Sequence, residues 1–198
     1  MSDHLKLSGR PFEVQRDALF AMIRDEPVLM EVLAGIADLP EGLLVAGALY
    51  NLAWNRLTGR PGLAEVADID VFYFDPADLS YEAEDVVIRR LDARFGHLPL
   101  PVQVRNQARV HLWFEQKFGA PFTPLSSAAE MLGRYASKAH SVGARMVDGE
   151  LDLIAPYGLD DIFSFRLVPN YALKNRATHE KKAARLKAVW PQLTVEPW

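Results

Sequence analysis

The sequence predicts a mixed α/β (α+β) fold, a sheet with helices packed on it, preceded by an N-terminal helical subregion. Two patterns carry this expectation: strands and helices alternate through the first half of the chain, and a β-hairpin arrives late. Composition is the third observation. With 198 residues, 49% hydrophobic and 24% charged, the chain can build a real core and is not a disordered one. One domain is expected over 1–198, with helices in 1–40 and a core ending in a C-terminal helix over 41–198.

Residues 11–25 and 26–37 carry the apolar spacing of two amphipathic helices, with Pro27 tolerated in the first turn of the second. The period then changes. A short apolar run over 43–46 ends at Gly47, and helical spacing resumes over 48–58 through Leu49, Leu52, Ala53 and Trp54. This is strand, glycine, helix. Beyond a loop with Gly59, Pro61 and Gly62, the run DIDVFYFD at 68–75 is rich in β-formers and predicts a strand. Ser80 caps a helix expected over 80–95, which Gly96 stops. A short strand at 102–104 precedes a helix over 106–118, closed by Gly119. Pro121 and Pro124 force a turn, after which Ser126 or Ser127 caps a helix running to about 138. Asp148-Gly149 joins 144–147 to 151–155 in a hairpin. The residues 165–168 predict a last strand, and 175–190 a basic helix ended before Pro191.

Several function classes drop out. Without cysteine there are no disulfides, thiolate metal sites or cysteine nucleophiles. The five histidines are scattered without the spacing of a zinc site. No G-x-S-x-G, G-x-x-x-x-G-K-[ST] or G-x-G-x-x-G string occurs, so hydrolase-elbow, P-loop and Rossmann readings fall. No apolar run is long enough to span a bilayer and the first ten residues lack a signal-peptide pattern. A cytoplasmic protein without a membrane partner is therefore expected. The net charge of −4 is mild, yet Lys174, Arg176, Lys181, Lys182, Arg185 and Lys187 face only Glu180 within 174–187. That segment carries +5. It reads as a solvated helix docked through Ala177, Ala184, Leu186 and Trp190, with nucleic-acid binding as the lesser alternative.

The candidate site starts from Asp68 and Asp70. Two residues apart on a strand, their carboxylates point to one face roughly 7 Å apart, where they repel. A hard cation offsets that cost, since magnesium takes a few carboxylates, keeps waters and uses phosphate oxygens for the rest. The strand-glycine-helix unit at 45–51 supplies a complementary half: backbone that a phosphate can approach, and free N–H groups at a helix start. The plainer alternative makes Asp68 a strand cap and Asp70 a surface residue of an edge strand. A second polar group, Asn106, Gln107, Arg109 and His111, stands at a helix start. It can wall a nucleotide pocket, with Arg109 on phosphate and His111 on base or substrate. Alternatively Asn106 is an N-cap and the arginines are solvated.

The strings GALYN at 47–51, DIDVFYFD at 68–75, VRNQARVH at 104–111, APYGL at 155–159 and KAVWP at 187–191 together resemble a bacterial nucleotidyltransferase-like family. That family belongs with the polymerase-β-type nucleotidyltransferases, and the likeness spans roughly 25–195. The resemblance implies a nucleotidyltransferase-type mixed sheet, with Asp68 and Asp70 as catalytic carboxylates holding Mg2+ or Mn2+. It implies Gly47 at the phosphate turn, with Ala48 and Asn51 following it in the nucleotide site. The superfamily's third acid normally sits on a following strand, where this chain has Gln103; Asp152 is the best substitute by local pattern. The expected function is metal-dependent transfer of a nucleoside monophosphate from an NTP to an unidentified acceptor. The alternative is a nucleotide-binding or partner-binding module on the same fold with impaired catalysis.

Overall fold

The computed structural model of the protein describes residues 3–198. Helices α1 (Phe12–Arg24) and α2 (Pro27–Gly35) lead into strand β1 (Leu43–Val45), and α3 (Gly47–Leu57) follows after one residue. Strand β2 (Ile69–Tyr73), helix α4 (Tyr81–Phe95) and strand β3 (Val102–Asn106) form a parallel β-α-β unit. Ser80 caps α4 as the sequence predicts, its hydroxyl accepting from the Ala83 amide at 3.2 Å. Helix α5 (Val110–Phe118) ends at Gly119, whose φ of 68° is the left-handed closure that glycine adopts freely. Strands β4 (Gly143–Val147) and β5 (Glu150–Ile154) form the expected hairpin, with positive φ at both Asp148 and Gly149. The chain closes with α6 (Asp160–Phe163), β6 (Arg166–Leu167), α7 (Arg176–Val189) and β7 (Thr194–Val195).

Five strands form one mixed sheet in the order β3-β2-β1-β4-β5, with β1 antiparallel to both β2 and β4. Alternation assigns the two faces. Ile69, Val71, Tyr73, Val102 and Val104 are buried on the side that α4 covers. Asp70, Phe72, Gln103 and Arg105 share the other side, as the register Asp70↔Gln103 and Phe72↔Arg105 requires. Helix α3 is buried on nearly every side, with Asn51 and Asn55 enclosed among its apolar residues. Its Trp54 donates Nε1–H to the Ile162 carbonyl at 2.9 Å and packs on Trp190, ring centroids 5.3 Å apart.

Three expectations change. The helix expected from 126 to 138 is replaced by 3-10 turns at Ala129–Arg134 and Lys138–His140. Glu130 takes the Ser126 amide and hydroxyl at 2.8 and 2.9 Å, and the Ser127 hydroxyl takes the Glu130 amide at 3.1 Å. Such local bonds compete with a continuous helix. The strand expected at 165–168 shortens to β6 and pairs with β7 in a separate two-stranded parallel sheet. The helix expected from 106 begins instead as a 3-10 turn over Gln107–Arg109.

One buried histidine fixes the last helix over the sheet. His179 on α7 bonds the Ser137 hydroxyl through Nδ1 at 2.8 Å and the Glu196 carbonyl through Nε2 at 3.0 Å. Nε2–H is therefore the donor to Glu196, which leaves Nδ1 to accept from Ser137.

Candidate functional site

The register Val45↔Asp70 organises the open face of the sheet. Because β1 and β2 run antiparallel, the turn that follows Val45 extends toward Asp68. The glycine turn and the acid pair thus meet at one end of two neighbouring strands. In that turn Ala46 has φ 54° and ψ −99°, a left-handed conformation strained for a residue with a Cβ. The Leu49 amide donates to the Ala46 carbonyl at 2.9 Å, so the amides of Gly47 and Ala48 precede the helical ladder. A Cβ placed on Gly47 would meet no atom within 4 Å. Open space lies directly above the helix start.

The acid pair is electrostatically loaded. Burial pushes the Asp70 carboxyl up to about 6 and the neighbouring Asp68 adds to it, while Lys182 and Arg105 pull it down. Gln103 donates Nε2–H to Asp68 Oδ2 at 2.7 Å, so an amide holds one acid from the strand position beside the other. Beneath them lies Tyr50. Burial raises its hydroxyl to about 12; Arg185 opposes the shift, and Asp70 and Asp68 reinforce it. His140 stacks on Tyr50 at 4.7 Å between ring centroids, and burial holds it neutral with a pKa well below the imidazole range. Tyr135 covers the next step along β2, its ring parallel to Phe72 at 6.5 Å.

The cations come from the far end of the chain. Lys182, half-buried on α7, has its pKa lowered by burial even though Asp70 and Asp68 attract its charge. Arg185, one turn later and exposed, acts on Tyr50 beneath the acids and on Lys182 itself. The basic helix is solvated as expected at Lys174, Arg176, Lys181, Arg185 and Lys187. It docks through Leu186 and Trp190 but not through the exposed Ala177 and Ala184. Lys182 alone of its cations turns to the acid pair, over Tyr135 at 5.8 Å. Sequence reasoning missed Lys182, Arg185 and Tyr135. The signal for the two cations was the charge excess of 174–187, which pointed to an anion but not to its place; Tyr135 gave none.

The other expected residues lie elsewhere. Asp152 stands on the edge strand β5, paired with Arg145 at 2.7 Å. Three strand spacings separate β5 from β2, roughly 14 Å, so Asp152 does not join the pair. Asn106 and Arg109 belong to a buried clamp. Asn106 accepts from the Asp75 and Ala108 amides at 3.1 Å each and donates to the Asp75 carbonyl at 2.8 Å. Its own amide donates to Glu84 at 2.8 Å, and Arg109 forms an ion pair with the same buried carboxylate. This corrects the expected nucleotide role: Asn106 aligns with Tyr73, on the face turned away from Asp70. Asn51 lies 5% exposed in α3, and its Oδ1 meets no donor among the described residues. His111 is in the first turn of α5, its Nδ1 likewise buried without a partner there.

Two carboxylates on one face, one of them repelled by the other, form the oxygen donor set that suits magnesium or manganese. No cluster of three or more His, Cys, Asp or Glu side chains fit to hold a metal occurs among the described residues. A cation held there would take its remaining oxygens from water or substrate. No helix is long and apolar enough to cross a membrane among those residues. Against known proteins, no curated protein matches the chain. A solved NMR structure, described as revealing a CCA-adding enzyme head domain, is 27% identical with a TM-score of 0.73, covering 92% of this chain and 96% of its own. A family model described as nucleotidyltransferase matches residues 33–195.

Proposed function

This chain belongs to the nucleotidyltransferase family, and on that premise we propose that it moves a nucleoside monophosphate from an NTP to an acceptor on the Asp68–Asp70 face. The carrying observation is the Val45↔Asp70 register, which sets a glycine-opened helix start against paired carboxylates. Asp68 and Asp70 hold a divalent cation, and such an ion neutralises phosphate oxygens and acidifies a bound hydroxyl. The amides of Gly47 and Ala48 receive the terminal phosphates, helped by the positive end of α3. Lys182, Arg185 and Arg105 ring the α-phosphate and hold it by charge. Buried Tyr50 and His140 supply a floor that keeps the site free of bulk water.

A melting experiment tests this reading. At an NTP concentration one hundred times Kd, binding adds about 2.7 kcal/mol of stability. For a chain of this length that is a rise in Tm of roughly 5–10 °C. The rise requires magnesium and disappears in Asp70→Asn. No rise with any of the four NTPs overturns the proposal. Gln103 supports a second reading, nucleotide binding without transfer, because it places an amide where the superfamily has a third acid. Pyrophosphate release on addition of a cell extract, lost in Asp68→Ala, separates the two.

A further inference from the structure

A cavity of about 370 Å³ adjoins the acid pair, floored by Phe114, Phe118, Met131 and Leu173. Its shared wall with the acid pair is Lys182 and Tyr135. Its position relative to the glycine turn is fixed by the strand. Moving along β2 on the open face, the order is Asp68 beside Gly47, then Asp70, then Phe72 under Tyr135. Phe74, the next residue on that side, packs with the Phe114 cluster. The cavity therefore lies beyond Asp70 on the side opposite the glycine turn, about 7–13 Å along the strand.

Phosphoryl transfer constrains what belongs there. The attacking and leaving oxygens lie roughly in line through the reacting phosphorus. With the leaving pyrophosphate on the Gly47 turn, the attacker must come from the Phe72 side. Resting on the nucleotidyltransferase reading above, we propose that this cavity is the acceptor site and takes a small molecule with an aromatic body, one anionic group and a hydroxyl nucleophile. The aromatic floor and the volume fit one compact molecule. Lys174 at the wall matches a carboxylate, as does the N-terminus of α7, which lines the cavity through Ala177 and Thr178, whereas Arg134 is already paired with Glu130. Asn175 Oδ1, buried and without a donor among the described residues, is matched by a hydroxyl or amine of the same ligand. In the reaction the acceptor hydroxyl oxygen bonds to the α-phosphorus and the bond from that phosphorus to the α–β bridging oxygen breaks. The electron pair leaves with pyrophosphate, and the hydroxyl proton passes to water.

The probe is 3-hydroxy-2-naphthoate, titrated by its own fluorescence against the full chain, with and without α,β-methylene-ATP and magnesium. Saturable binding is expected, unchanged by the nucleotide analogue. Ala177→Trp, an exposed α7 position on the cavity wall, should weaken it at least tenfold and leave analogue affinity within twofold. Lys174→Glu should give the same pattern and guards against a folding defect in the first variant. Competition between probe and analogue would assign the cavity to the nucleoside and overturn the proposal. So would absence of probe binding while the analogue binds, or an RNA 3′ end whose binding Ala177→Trp abolishes. Probe binding with no analogue binding would sink the nucleotidyltransferase reading, and the acceptor role with it, while leaving an anion cavity.

Discussion

Asp70 is a carboxyl that burial holds against its own ionisation. Its folded pKa of about 6 stands above the ordinary 3.8, so between those values the folded chain binds more protons than the unfolded one. Stability contributed by the protonated carboxyl is present at low pH and is lost as pH rises through about 6. Metal-free Asp70→Asn should therefore be more stable than the parent at pH 8, by about 1–3 kcal/mol, and the gain should vanish below about pH 4. Urea midpoints at the two pH values, taken in EDTA, check this; an equal gain at both would show that charge is not the cause. Asp68, Asp70 and Gly47 were legible in the sequence because each signal is local: a two-residue repeat on a strand and a glycine between a strand and a helix. Gln103 was legible as a departure, but its bond to Asp68 was not, since a parallel register cannot be read from spacing.

At the scale of elements, the clamp of Asn106, Glu84 and Arg109 joins the start of α4 to the end of β3. Glu84 is 6% exposed, and Arg109 is the cation that balances it. Removing one partner of a buried pair leaves an uncompensated charge, which costs about 3–5 kcal/mol. Arg109→Ala should lose that much in denaturant unfolding while its magnesium-NTP Kd, measured well below the midpoint, stays within twofold. A large loss of affinity at intact stability would restore a phosphate role to Arg109. The sequence left both roles of Asn106 open, and the structure selects the cap. The long-helix expectation at 126–138 failed for a comparable reason: Ser126, Ser127 and Glu130 bond to one another and to nearby amides, which periodicity does not register. Strand β7, two residues long, carries too little pattern to be found at all.

Across the whole molecule, the charge asymmetry becomes a spatial pairing. The basic segment and the acidic strand are more than 100 residues apart, and His179 brings them together by fastening α7 to Ser137 and Glu196. Because Lys182 lowers the pKa of Asp70, Lys182→Gln should raise it above about 6. Carboxyl carbon-13 shifts followed against pH in metal-free protein would show this, and an unmoved midpoint would separate α7 from the acids. The sheet and its alternation could be anticipated from local runs, but the partner of the acid pair could not. Nothing in residues 174–187 encodes which distant strand they will cover.

The left-handed backbone at Ala46 has a consequence for recognition. An alanine held at φ 54° is disfavoured in a free chain and persists only where its surroundings fix it, here by a hydrogen bond of 2.9 Å from the Ala46 N–H to the Val142 carbonyl. The loop is thus frozen before any anion arrives and has little disorder left to surrender on binding. On the proposed reading, affinity at this turn would be governed by charge and fit, with almost no entropy of loop closure to overcome.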